Sequence, residues 1–151
     1  MGADNPLMDP SATPTRITVA GSFTLPCDVS TALLLFTPEG ERAWVEGWSP
    51  TYLSGATDEV GAVWSTDAHS PTTWVTVVRT DRHVAYARIS DNGTAGLVDV
   101  RCLPADGGTA VHVTYDMTAT RTTGLPWLQH LRTGFDGMLQ GWRKLTLPLV
   151  T

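Results

Sequence analysis

Residues 128–145 read Leu-Gln-His-Leu-Arg-Thr-Gly-Phe-Asp-Gly-Met-Leu-Gln-Gly-Trp-Arg-Lys-Leu, and the spacing of their apolar members decides how the rest of the chain is read. Leu128, Leu131, Phe135, Met138, Trp142 and Leu145 recur every three or four positions. That is one face of a long amphipathic helix, since an α-helix completes a turn in about 3.6 residues. Such a stripe needs an apolar partner. Gly134, Gly137 and Gly141 each weaken the helix by about 1 kcal/mol relative to Ala, and their number suggests close packing or some looseness.

The partner is found upstream. Strand-like runs at 61–67, 73–80, 83–90, 96–103 and 109–120 are separated by turn signals at Asp81-Arg82, Asn92-Gly93 and Asp106-Gly107-Gly108, with a longer loop near Ser70-Pro71. Connections this short imply consecutive antiparallel hairpins, and a weaker strand near Tyr52-Leu53 precedes them. Side chains alternate across a strand, so a two-residue turn at Asn92-Gly93 places Ala85, Ala87 and Ile89 with Val98, Val100 and Cys102. Through the next turn that face gains Val111, Val113, Tyr115 and Met117, and backwards through Asp81-Arg82 it gains Trp74, Thr76 and Val78. The opposite face takes Tyr86, Arg88, Asp99, Arg101, His112, Thr114 and Asp116. The expected sheet is apolar on one side, and the C-terminal helix is the element long enough to cover it.

Before the meander, residues 16–25 read as a first strand ended by Pro26. Asp28 is an N-cap for a short helix over about 29–36, and Thr37-Pro38 starts a second one. Glu39 and Glu41 fall in its first turn; with Glu46 they could border a pocket entrance, although capping by the helix dipole and solvation account for them more simply.

Length, charge and composition narrow the function classes. The 151 residues suit one α+β domain, taken as 16–149 with a disordered tail over 1–15. A net charge of −5 with scattered basic residues argues against nucleic acid. No run is apolar enough to span a bilayer, and the N-terminus lacks a basic residue and an apolar core, so it is not read as a signal peptide. A cytoplasmic location is expected, with Cys27 and Cys102 as reduced thiols. His69, His83, His112 and His130 form no metal-ligand spacing, and no phosphate loop, dinucleotide fingerprint or nucleophile elbow occurs, so no metal or cofactor is expected.

The order is strand, two short helices, antiparallel strands, long helix. With it come the stretches Phe36-Thr37-Pro38-Glu39-Gly40-Glu41-Arg42-Ala43-Trp44, Gly47-Trp48-Ser49-Pro50, Thr73-Trp74-Val75 and Gly108-Thr109-Ala110-Val111-His112-Val113-Thr114-Tyr115. On these the chain resembles the SRPBCC superfamily of START, Bet v 1-like, polyketide cyclase and Hsp90 co-chaperone-like domains, over about residues 16–147. The resemblance implies a helix-grip fold, with about six or seven curved strands wrapped around the last helix and a cavity for apolar ligands between them. It transfers no catalytic residue.

The expected ligand-binding face of the sheet is Trp74, Thr76, Ala87, Val100, Val113, Tyr115 and Met117. Leu131, Phe135 and Met138 line the helix side. Tyr115, Thr76 and the Trp74 indole N–H supply polar contacts, as in a mostly apolar pocket. A filled core with Tyr115 bonded inside it fits the same residues. Tyr86, Arg88, Asp99 and Arg101 read as ion pairs on a solvated face, and Trp44 and Trp48 as packing residues. The leading expectation is a carrier for a small apolar or aromatic metabolite or lipid, compatible with a homodimer. A polyketide cyclase or aromatase, or a co-chaperone-like interaction domain, fits the same pattern.

Overall fold

A computed structural model describes residues 15–151, so nearly all of the expected tail lies outside the described residues. The strands are β1 (Arg16–Leu25), β2 (Thr51–Ser54), β3 (Val63–Thr66), β4 (Thr72–Arg79), β5 (His83–Ser90), β6 (Thr94–Ala105) and β7 (Gly108–Ala119). They form one antiparallel sheet in the order β1-β7-β6-β5-β4-β3-β2. After β1 comes the short helix α1 (Val29–Leu34), capped by the Asp28 carboxylate accepting from Thr31 N at 2.8 Å. The second expected helix is a single 3-10 turn, Gly40–Ala43, entered where the Thr37 hydroxyl accepts from Gly40 N. The long helix α2 (Leu125–Thr146) crosses the concave face of the sheet.

The expected apolar face forms on β6 and β7, with Val98, Val100, Cys102, Val111, Val113, Tyr115 and Met117 all buried in one core. Beside them β1 presents Ile17 and Leu25, with Gly21 between. A methyl at Gly21 would lie 2.7 Å from Leu139 Cδ1, so the missing side chain lets α2 settle on β1. Leu128, Leu131, Phe135 and Leu139 are buried. Leu145 is not: it is 52% exposed, because a straight helix drifts from a strict seven-residue repeat and carries the end of the stripe outward.

On β5 the expected faces are reversed. Ser90 pairs with Thr94, so the turn is Asp91-Asn92-Gly93 rather than Asn92-Gly93 alone. A two-residue type I′ turn needs positive φ at both central residues. Here Gly93 has φ 90° while Asn92 is not in that region, which fits a three-residue turn closed by a left-handed glycine. One extra turn residue flips every β5 side chain. Val84, Tyr86 and Arg88 therefore stand opposite Val100, Val98 and Gly96 on the inner face, and Ala85, Ala87 and Ile89 lie outside. Trp74 and Thr76 are inner residues, as expected, and a register shift between Thr76 and Val78 sends Val78 out against Ala85. The solvated face keeps Asp99 and Arg101, with His83 rather than Arg88 as the neighbour: Asp99 accepts from Arg101 Nε at 3.3 Å and meets His83 Nε2 at 2.6 Å.

Among the described residues the α2 glycines mediate no packing. A methyl at Gly134, Gly137 or Gly141 would meet nothing within 4 Å. Gly134→Ala combined with Gly137→Ala should therefore stabilise the fold by about 1 kcal/mol per site and raise Tm by roughly 4–8 °C. A lower Tm in thermal denaturation would show that these positions do pack against something.

Candidate functional site

Between α2, the inner face of the sheet and the segment around the 3-10 turn lies a cavity of about 450 Å³. Small-molecule sites span roughly 300–1,000 Å³. Eight of the side chains that line it are aromatic, and Trp64 packs behind them. Trp64 and Trp74 stack at 5.2 Å with their planes 6° apart, and Tyr86 and Trp48 meet them edge-on. On the other side Phe36, Trp44 and Trp142 form a second cluster with centroids 5.5 to 5.9 Å apart, joined to Tyr115 through Trp142 at 6.3 Å. Such pairs contribute roughly 0.5–1.5 kcal/mol each beyond their burial. They tie the helix and the 3-10 segment to the sheet without filling the space between.

The indole N–H groups are spent on the scaffold. Trp74 Nε1 donates to Thr66 Oγ1 at 2.9 Å, Trp64 Nε1 to Thr76 Oγ1 at 3.2 Å, and Trp44 and Trp48 to the carbonyls of Leu35 and Pro38. Tyr86 Oη donates to the Phe36 carbonyl at 3.0 Å, fastening β5 to the end of the α1 segment. The Thr76 hydroxyl and Trp74 N–H, expected as ligand contacts, are thus engaged inside the fold.

Apart from His69, which is exposed, and Ser70, the polar side chains on the cavity wall with little or no such engagement among the described residues are Glu41, Arg88 and Tyr115. The Tyr115 hydroxyl and the Glu41 carboxyl face the cavity and make no hydrogen bond to protein. Arg88 makes one, Nη1 donating to Thr94 Oγ1 at 3.1 Å, and has no carboxylate partner. Its guanidinium lies 4.6 Å from the Trp127 ring centre and 5.7 Å from that of Trp74. Burial pulls Arg88 below the usual arginine range, although an arginine stays charged in proteins. Desolvation pushes the Glu41 carboxyl well above the usual carboxylate range, and burial pushes Tyr115 up as well. Glu41 keeps partial surface, and that surface is the cavity's own. Its neighbour Glu39 is the solvated acid, bonded to Arg42 and receiving the Tyr52 hydroxyl at 2.5 Å.

Of the sequence-predicted site residues, Trp74, Val100, Tyr115 and Met138 line this cavity. Thr76, Val113, Met117, Leu131 and Phe135 are buried in the core behind it. Ala87 is on the outer face of the sheet. Sequence reasoning missed Glu41, Tyr86, Arg88, Trp127 and Trp142 as cavity residues. The Asp-Asn-Gly triplet was the available signal for Tyr86 and Arg88, since it fits a three-residue turn. Glu41 had only its place beside Glu39 and Glu46 near a pocket entrance, because a single 3-10 turn gives no periodicity to choose among them.

A larger groove of about 770 Å³ runs outside, along Ser49, Ser65, Asp67, Asp91 and Arg121. It is polar and open, and its one arginine already donates to the Asp91 carbonyl. The inner cavity combines enclosure with unengaged polar groups and is the candidate site. Cys27 and Cys102 are free thiols, and burial pushes Cys102 up to about 12, which leaves it protonated and unreactive. Among the described residues no group of acidic, histidine and cysteine side chains is arranged to hold a metal, and no helix is long and apolar enough to cross a membrane.

Glu41 makes stability depend on pH. The folded chain holds its proton more tightly than the unfolded chain, so stability falls as pH rises from about 4.5 toward the raised folded value. Glu41→Gln removes this titration. The Tm of the variant minus that of the wild type should be smallest near pH 5 and grow toward pH 8. A difference that stays constant would mean the carboxyl is solvated.

No family model matches the chain, and no curated protein matches it. Solved structures do. The di-domain ARO/CYC StfQ from the steffimycin biosynthetic pathway is similar over 90% of this chain and 51% of its own, with TM-score 0.68 and 12% identity. A protein from Mesorhizobium loti is similar over 85% and 96%, with TM-score 0.64 and 12% identity. Ara h 8.0201 is similar over 83% and 94%, with TM-score 0.63 and 14% identity. At these identities the likeness is one of fold, and the seven-stranded antiparallel sheet closed by one long C-terminal helix is the Bet v 1-like helix-grip fold that the sequence resembles.

Proposed function

We propose that this chain binds a small, largely apolar aromatic molecule in the cavity between the sheet and α2. One observation carries the reading. Glu41, Arg88 and Tyr115 face an aromatic-walled space with no protein partner beyond the single Arg88 bond. Among the described residues no fully buried side-chain polar atom lacks a partner, so these three groups reach the open space of the cavity rather than being sealed in the core. A fold that keeps three such groups in one cavity is explained by an occupant that engages them. The aromatic wall suits flat rings, and the volume suits a molecule of a few rings. StfQ, an ARO/CYC, shares the fold, which is compatible with this reading.

A second reading is favoured by the same three groups. A neutral Glu41 carboxyl can donate a proton, and Arg88 and Tyr115 can stabilise negative charge developing on an oxygen. That is the equipment for proton transfer on a carbonyl compound, as a cyclase or aromatase requires. Under it, Glu41→Gln retains binding of a poly-β-ketone thioester mimic and loses its turnover.

Native mass spectrometry tests the primary reading. The protein as purified should carry a reproducible extra mass of a few hundred daltons, or bind the neutral dye Nile red when it arrives empty. Met138 borders the cavity, so Met138→Trp should fill it and abolish both signals while Tm changes little. A bare mass with no dye binding, or dye binding unaffected by Met138→Trp, would overturn this reading.

A further inference from the structure

We propose that the occupant is an organic anion, a planar aromatic carboxylic acid whose carboxylate is held by the Arg88 guanidinium between Trp127 and Trp74. The inference rests on the binding reading above and specifies its ligand.

Buried arginines are ordinarily paired with a carboxylate or saturated by carbonyls, because an unpaired charge away from water is costly. Arg88 has neither. Its one protein hydrogen bond reaches Thr94, whose hydroxyl donates onward to Asn92 Oδ1 at 2.5 Å. This chain fixes one edge of the guanidinium against the Asp91-Asn92-Gly93 turn. The indoles of Trp127 and Trp74 are within 4.6 and 5.7 Å of its centre and steady its orientation. What remains free is a fork of N–H donors at the cavity wall, the geometry that matches a carboxylate bidentately.

Charge balance points the same way. Glu41 lines the same cavity, yet it forms no ion pair with Arg88. Burial shifts Glu41 toward its neutral form, and Arg88 has no carboxylate within ion-pair distance among the described residues, so it presents a positive charge to the cavity without a paired acid. A monoanion balances it, and Glu41 and Tyr115 can then donate to its other oxygens. A phosphate carries more charge and more acceptors than these few donors serve. The surrounding indoles fit an aromatic body attached to the acid.

Isothermal titration with a matched pair, naphthalene-2-carboxylate and 2-naphthamide, tests this. The two share shape and differ in charge. Wild-type protein should bind the acid roughly 10–100-fold more tightly, the scale of charge-assisted hydrogen bonds. Arg88→Gln should reduce acid binding to the level of the amide. Arg88→Lys, which keeps the charge and loses the fork, should fall between. Equal binding of acid and amide, or a preference for the acid that survives Arg88→Gln, would overturn the inference and leave the binding reading intact. Binding of neither compound, together with no cavity signal for Nile red, would overturn both.

Discussion

Ser90 pairs with Thr94 across a turn of three residues, and the contents of the interior depend on that pairing. It sends Tyr86 and Arg88 inward, where Tyr86 reaches the Phe36 carbonyl and Arg88 reaches Thr94. The same turn is clamped from outside: Thr120 N donates to the Gly93 carbonyl, and Gly124, at the start of α2, packs so closely that a methyl there would lie 2.0 Å from that carbonyl oxygen. The hairpin tip, the start of the long helix and the guanidinium are therefore set by one local geometry. Trp127 follows in the first turn of α2 and meets Arg88 for this reason.

The fold bears the cost of this interior through its aromatic residues. The desolvation of Glu41 and Arg88 and a hollow of about 450 Å³ both subtract from stability. Offsetting them are two aromatic clusters on opposite sides, the stacked Trp64–Trp74 pair and the Phe36–Trp44–Trp142 group. Each large ring buries on the order of 150–250 Å². Because every indole N–H in those clusters except that of Trp142 has a protein acceptor, the rings act as a rigid frame around the space. Glu41, Arg88 and Tyr115 remain available for an occupant. Binding sites commonly trade stability for such availability.

Much of the architecture was legible in the sequence because periodicity reports it directly. The helical stripe of Leu128, Leu131 and Phe135 and the alternation of Val98, Val100, Val111 and Val113 point to a sheet covered by a helix. The parity of β5 was not legible in the same way. Both of its faces mix apolar with other residues, so alternation alone does not choose between Ala85-Ala87-Ile89 and Val84-Tyr86-Arg88, and the turn must decide. Taking Asn92-Gly93 as a two-residue turn assigned Arg88 to solvent. The inward placement of Tyr86 and Arg88 depended on that one count. Glu41 was hidden for another reason: the dipole and capping argument that accounts for Glu39 applies equally to its neighbour, and what separates them is that Glu41 is desolvated while Glu39 is bonded to Arg42 and Tyr52. Leu145 and Leu139 exchanged roles because the helix keeps 3.6 residues per turn over its 22 residues.

The inward placement of Arg88 is the central claim, and side-chain NMR tests it most directly. Nuclear Overhauser contacts from the Arg88 Nε–H and Cδ protons distinguish the two faces of β5. The account predicts contacts to the ring protons of Trp127 and Trp74 and slowed exchange of the Nε–H with solvent. Contacts to Leu97 or Val75 instead, with a freely exchanging Nε–H, would place Arg88 on the outer face and contradict the register, the cavity chemistry and the ligand assignment together.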